Sequence, residues 1–405
     1  MHINHLACLL GSVIVIAGTT SIHQVAGQQS PDNSSSSACS GDVKVKSQGD
    51  LDPLKQCKKY SGSITIEQAS VPDLKLPGVM EIDGDIRVRD SNGLSRLSFP
   101  HLQSIKGIYL DNNRELNSLD LNALTSVQTF QVAVHPALSE ISFPAELSQL
   151  SKMAISDTTI TRLDGLKMEK VGELLIDNNI YLRTLDIGNL TEVSQSMSIS
   201  ANSPDLTLDL SHLHSLGQGS FRNLAEISIG ELDKVDGDLS FISNKFSSLK
   251  LSKMTDVSGT LTLADNKNLE KLSVPELKHL GGALSVGNNT RLSHVDAFPK
   301  LEQVDGTIDL TGSFDEVKLP HLQDVRGGLN VQTTSDKFSC DDVGNLKQGG
   351  VIKGDSFTCK ARVANPKSGL NGDGLDTGDS SNNSQQLFSD SYLALALIAV
   401  AITFT

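Results

Sequence analysis

The sequence predicts an all-β fold, a right-handed β-solenoid (β-helix) closed at each end by a disulfide-stapled cap, and three observations predict it. Glycines recur at Gly62, Gly84, Gly107, Gly237, Gly259, Gly282, Gly306 and Gly328, spaced by 22 to 24 residues except between Gly107 and Gly237. The apolar residues are mainly Leu, Ile and Val, with 4% aromatics and no Trp in 405 residues. Such a palette suits thin stacked layers better than one large core. Four cysteines fall as two close pairs, one near each end of the repeating region.

The repeat itself comes first. Aligning Leu110 with Leu263 places Asn113 on Asn266, and then Leu116, Leu119, Leu121, Leu124 and Val127 on Leu269, Leu272, Val274, Leu277 and Leu280. Two further copies keep these five columns without a gap, Leu94 to Ile105 and Leu182 to Val193. About a dozen copies fit between Gly62 and Cys340. Short segments such as Ile86-Arg87-Val88 and Leu284-Ser285-Val286 alternate as half-buried strands do. The second apolar series ends near Pro100, Pro144, Pro275, Pro299 or Pro320, where a residue without an N–H marks a corner.

Asn113, Asn179, Asn202, Asn244, Asn266 and Asn289 share the corner just after the first strand. An inward-facing Asn offers donors and an acceptor to the backbone of adjacent coils, so this column is expected to be a structural ladder. Copies without Asn carry Ser91, His135 or Thr158 there. The motif L-x-L-x-x-N-x-x-L and its period are those of leucine-rich repeats.

The ends specify processing. The apolar run Leu9 to Ala17 is too short for a membrane span and precedes Val25-Ala26-Gly27, the pattern of a signal peptide cleaved after Gly27. At the other end, Leu393 to Ile402 is followed by three residues and no basic stop signal. With the polar spacer Gln385 to Tyr392 and the small residues before it, this is the layout of a glycosylphosphatidylinositol (GPI) attachment signal. Asn382 is the expected attachment residue, with Gly378, Ser380 and Ser381 as neighbouring alternatives.

Cys8 leaves with the signal peptide. Four cysteines allow three connectivities, but an extended array permits only local pairing, Cys39 with Cys57 and Cys340 with Cys359. A stack of coils leaves an apolar cross-section bare at each end, where caps are required. The expected layout is signal peptide 1–27, N-terminal linker and cap 28–61, repeats 62–337, C-terminal cap 338–362, disordered stalk 363–382 and anchor propeptide 383–405. N-glycosylation sequons stand at Asn33, Asn189 and Asn288, with a fourth at Asn382.

A net charge of −14 without a Lys/Arg cluster argues against nucleic acid as a partner. No nucleophile elbow, metal-ligand cluster or phosphate loop appears, so no catalytic, cofactor-binding or metal residue is assigned and no cofactor is expected. Asp111, Asp177, Asp265 and Asp309 read as solvated turn residues, Asp341-Asp342 as a cap pair, and His101 and His321 as surface residues after corner prolines. The outward column of the first strands reads Arg87, Tyr109, Gln131, Ser198, Ser240, Thr262, Ser285, Asp309, Asn330. It holds one aromatic and offers no obvious sugar platform.

With repeats, caps and anchor signal in hand, the chain resembles the fungal GPI-anchored cell-wall organisation proteins of the extracellular-mutant and sporulation-specific type, whose repeats are of receptor L-domain type. The resemblance rests on Asp50-Leu51-Asp52-Pro53-Leu54 before Cys57, on Tyr60 to Ile66, on Leu76-Pro77-Gly78-Val79, and on recurring apolar-Pro-x-Leu-x-x-apolar-x-Gly units. It covers about residues 39 to 360. It implies a non-catalytic role in wall organisation and integrity at the extracellular face of the plasma membrane, with the outer leaflet, wall polysaccharide or surface proteins as partners. The alternatives are a receptor-like module for a protein or glycan and, behind it, a polysaccharide-active enzyme.

Overall fold

The computed structural model describes residues 39–369; the signal peptide, Asn33, Asn382 and the anchor signal lie outside them. Within this range the chain winds as a parallel β-solenoid of about 13 turns. The first sheet runs unbroken from Val43–Val45 through Ile64–Glu67, Glu81–Arg89 and their successors to Leu329–Thr333 and Phe357–Lys360, every pairing parallel. It therefore extends through both caps.

From Glu81–Arg89 to Ser215–Arg222 one long strand turns the corner between two faces, in places through a register shift, as between Ile82 and Asp85. Beyond Arg222 the strand divides. Lys234–Val235, Asp256–Val257, His279–Leu280, Gln303–Val304 and Asp324–Val325 build a second face of their own. Short pairs such as Arg96–Ser98 with Ser118–Asp120 and Ser248–Lys250 with Lys271–Ser273 form the third.

Glycine at the dividing corner has a direct steric cause. Gly259, Gly282 and Gly306 stack, each N–H donating to the glycine carbonyl one coil before at 3.1, 2.9 and 2.9 Å. A Cβ on Gly282 would lie 2.6 Å from the Gly259 carbonyl carbon. The next member is Gly327, not Gly328: Gly327 donates to Gly306 at 3.0 Å and Gly354 to Gly327 at 3.1 Å.

Leu, Ile, Val and Phe side chains of all three faces form one contiguous apolar core. Its N-terminal end is closed by the helical turns Gln48–Leu51 and Asp52–Gln56, which lay Leu51 and Leu54 over the first coil. The Cys39–Cys57 disulfide ties this cap to the sheet. At the other end the helix Asp341–Gln348 covers the last coil with Val343, and Cys340–Cys359 joins it to the final strand.

The asparagines stack inside the corner under one rule. Each Oδ1 accepts the N–H of the equivalent residue one coil earlier, and each Nδ2 donates to the carbonyl three residues before that residue. Asn266 thus takes the N–H of Asn244 at 2.9 Å and gives to Phe241 O at 2.9 Å. Asn244 does the same to Leu224 and Phe221, and Asn113 to Ser91 and Val88. Asn289 donates to Leu263 O at 2.8 Å and Asn202 to Ile176 O at 2.8 Å. Thr158 joins by donating its hydroxyl to Asn179 Oδ1 at 2.6 Å.

The residue before each ladder position is held at positive φ, among them Asp90, Asn112, Asn178, Asp265 and Asn288. Asn and Asp tolerate this left-handed region; a β-branched residue does not. Val134, at φ 61°, is the exception. Val134→Asn is expected to stabilise the fold by about 1 kcal/mol, read as a rise in urea midpoint. An unchanged or lowered midpoint would show that the strain is absorbed elsewhere.

His135 is the second irregularity of the same coil. It is fully buried, and Asn113 Nδ2 lies 3.0 Å from its Nε2. The amide is a donor, so Nε2 accepts and the ring proton sits on Nδ1. Nδ1 lacks a partner in hydrogen-bonding geometry, the weak pull of the Ala133 carbonyl notwithstanding. Burial pushes the imidazole down to about 4 from 6.5. Folding favours the neutral ring, so this stability is complete above pH 6.5 and is lost as pH falls toward 4. The expected loss between pH 7.5 and 4 is about 3 kcal/mol. His135→Asn, which supplies a non-titrating ladder residue, should remove it. Urea unfolding of both proteins at the two pH values checks this, and equal acid losses would refute it.

Candidate functional site

A solenoid presents its surface as columns, and the outward column of the first sheet is continuous in register. It reads Thr65, Arg87, Tyr109, Gln131, Ala154, Leu175, Ser198, Ser220, Ser240, Thr262, Ser285, Asp309, Asn330, Thr358. Nine of these fourteen are legible in the sequence; the other five are Ala154, Leu175 and Ser220, in the irregular centre, and Thr65 and Thr358 at the two ends.

The two halves of the column differ. From Thr65 to Ser198 the side chains are half-buried. Arg87 pairs with Asp85 at 2.8 Å and stacks 4.2 Å over the Tyr109 ring. That cation–π contact occupies the ring face a sugar would need. From Ser220 to Asn330 the column is buried.

Asp309, expected as a solvated turn residue, is instead 1% exposed within the strand Ile308–Gly312. Its carboxylate accepts from Asn330 Nδ2 at 2.6 Å, from the Gly369 N–H at 3.1 Å and from the Ser368 hydroxyl. Lys367 O receives Asn330 Nδ2 at 2.9 Å and Gln332 Nε2 at 3.1 Å, and Lys367 N–H donates to Gln332 Oε1 at 3.2 Å. The segment around Lys367 to Gly369, assigned from composition to a stalk, is thus strapped across the sheet. Composition missed it because the partners are 35 to 60 residues away.

Two large apolar side chains project into solvent, Ile180 at 56% and Tyr181 at 51% exposure. They follow Asn179 at the corner and, with Val134, Pro136, Arg114 and Asp157, border a shallow recess of about 310 Å³. The repeat alignment hid them, since every coil has a residue there. An apolar pair where other coils carry Lys267-Asn268 or Thr290-Arg291 was the available signal.

The arrangement nearest to a catalytic constellation is on the second face. His279 Nδ1 lies 2.8 Å from Asp256 and Nε2 3.5 Å from Asp305, which also meets Arg326 at 3.2 Å. Hydrogen bonding to Asp256, with Asp305 adding to it, raises the His279 pKa despite some desolvation. Its contribution is therefore present below pH 6.5 and lost as pH rises through the raised value, opposite in sign to His135. Carboxylates face both ring nitrogens, leaving neither free to take a proton from a substrate.

The other candidates are surface features. His101 and His321 bond through Nδ1 to the carbonyls of Pro77 and Pro299 in the coil before. Asp111 and Asp177 are exposed as residues, yet desolvation first, then the neighbouring Asp90 and Asp157 respectively, raises the pKa of their carboxyls. Asp341, in the first turn of the cap helix, accepts the Ser339 hydroxyl at 2.7 Å. Asn189 and Asn288 are exposed, and Asn288 Nδ2 donates to Asp265 at 2.5 Å. No group of three or more potential metal ligands occurs among the described residues.

Comparison with known proteins gives this surface its context. No family model matches the chain, and neither does any solved structure. The chain is 33% identical to a cell surface GPI-anchored protein of Arthroderma benhamiae, over 84% of this chain and 87% of the relative. It is 30% identical to protein ecm33 of Aspergillus fumigatus, over 84% and 85%. With sporulation-specific protein 2 of Saccharomyces cerevisiae the identity is 34%, over 78% of this chain and 63% of the relative's length. None of these names denotes an enzyme. Identity of 30% or more across over four fifths of two such relatives settles the kinship: the chain belongs to the fungal cell-surface family that includes protein ecm33 and the sporulation-specific proteins.

Proposed function

We propose that this protein is a GPI-anchored cell-surface glycoprotein that supports fungal cell-wall organisation without catalysis. It sits at the extracellular face of the plasma membrane or in the wall. The observation that carries the reading is the kinship with a GPI-anchored surface protein over most of both chains. The terminal signals and the two disulfides agree with a secreted route. Asn382 is the proposed attachment residue, and Asn189 and Asn288, both exposed, are proposed glycan acceptors together with Asn33.

The structure supports a non-catalytic role through what its polar side chains are used for. The Asn ladder, the Asp309 strap and the His279 cluster each spend their donors and acceptors within the protein. Wall polysaccharide or neighbouring surface proteins are the proposed contacts. A second reading, a receptor-like binding module, is favoured by the exposed Ile180–Tyr181 pair, because an aromatic beside polar groups suits a glycan or a protein loop.

The test is expression of the full chain in a yeast host, with and without residues 383–405, followed by phosphatidylinositol-specific phospholipase C. Release of the full-length protein from membranes, and secretion of the shortened one, are the expected results. Retention after verified cleavage of a control anchor, with no ethanolamine on the protein, would overturn the anchor and the surface role built on it.

A further inference from the structure

Three departures from the repeat meet at one corner of the solenoid. Val134 is a β-branched residue at positive φ, where other coils carry Asp90, Asn112, Asp157 or Asn178. Ile180 and Tyr181 stand exposed where the coil of Asn266 carries Lys267 and Asn268. All three border the recess of about 310 Å³, which crosses the successive rungs of Val134, Asp157 and Asn178. A β-branched side chain at positive φ is costly, and strain of this kind collects at ligand sites. An Asn at 134 would set a polar amide where an isopropyl group now lines the recess.

Polar groups rim this apolar wall. The Asp157 carboxylate accepts the Asn178 amide. Thr159 gives its hydroxyl proton to Leu138 O at 3.0 Å and keeps its oxygen as an acceptor. Arg114 is held through Nε to Asn112 Oδ1 at 3.2 Å, and its terminal amino groups meet no acceptor among the described residues.

We propose that the recess binds one or two residues of a neutral glycan chain, with the C–H face of a sugar ring on Tyr181 and Ile180 and its hydroxyls shared between Asp157 and Arg114. The inference deepens the receptor-like reading and rests on it, not on the anchor. A sugar ring has an apolar face and hydroxyls that both give and accept hydrogen bonds, which is the combination the recess offers. Its volume lies at the lower end of the roughly 300–1,000 Å³ of small-ligand sites. A protein partner fits less well. A stable interface covers about 800 Å² on each side around a cluster of buried anchors, and the described residues expose no large apolar side chain beyond this pair. An acidic polymer would meet the Asp157 carboxylate and a chain of net charge −14.

The test uses the full chain purified from the yeast host, titrated by calorimetry and saturation-transfer NMR with pentasaccharides of β-linked glucose, of α-linked mannose and of galacturonic acid. At least one neutral pentasaccharide is expected to bind with a Kd of about 1 mM or tighter, and the acidic one about tenfold more weakly. Ile180→Lys combined with Tyr181→Asn gives this coil the corner that Lys267 and Asn268 form elsewhere and keeps Asn179 in the ladder. The double variant should bind about tenfold more weakly. Val134→Asn should weaken binding about threefold while relieving backbone strain, a combination that a folding defect does not produce. Unchanged affinity in the double variant would overturn the site and leave the receptor-like reading to another part of the solenoid. Failure of both neutral sugars to bind the folded chain, or preference for the acidic one, would overturn the ligand class and with it the glycan arm of that reading.

Discussion

Asn266→Ala is expected to destabilise the solenoid by roughly 2–6 kcal/mol, far more than its modest loss of volume would suggest. The change strips two buried backbone groups of their partner, the Asn244 N–H and the Phe241 carbonyl. Each buried group left unpaired costs about 1–3 kcal/mol, because it gave up water on folding and has nothing in return. Asn268→Ala is the control: its amide reaches Lys245 O at 3.1 Å from an exposed position, and surface changes of this kind stay within about 0.5 kcal/mol. Urea midpoints of the two variants decide. Equal shifts would mean that water fills the corner and the asparagines are dispensable.

The second large effect is expected at the caps. Replacing Cys340 and Cys359 by Ser opens a loop of 19 residues, worth about 3 kcal/mol in the loop-entropy estimate. In a stack where each coil touches only its neighbours, the damage should begin at the broken end. Amide exchange should therefore quicken first in Leu329–Thr333 while Ile64–Glu67 keeps its protection. The double Ser variant at Cys39 and Cys57 should reverse the order. Equal loss at both ends in either variant would show that the solenoid unfolds as one unit and that the caps have no local role.

Both expectations trace to features legible at different levels. The repeat, the inward asparagines and the cysteine pairs are local in sequence, because each coil states its own apolar columns and corner chemistry. Val134 and His135 were visible as departures from a column, although only the backbone shows that the first sits at positive φ and the second lacks a partner on Nδ1. Asp309 illustrates what sequence cannot state. In isolation it resembles Asp265, but its strand projects it beneath a segment that returns 59 residues later. The stacked glycines were readable to within one position, since Gly327 and Gly328 are adjacent and only the carbonyl of Gly306 selects between them.

The strap and the disulfide behind it also govern how the molecule bears tension. A pull transmitted along the chain from residue 370 meets the contacts of Ser368, Gly369 and Lys367 first. Drawn away from the sheet these give way one after another, and the freed residues 364–369 pay out about 20 Å of slack. The load then meets the Val363 and Arg362 N–H bonds to Thr333 and Ser335 and the last strand, and at Cys359 the disulfide carries it to Cys340, so the intervening cap helix is bypassed. The strap is thus the first element to yield under such a pull, ahead of the coils that lie behind the disulfide.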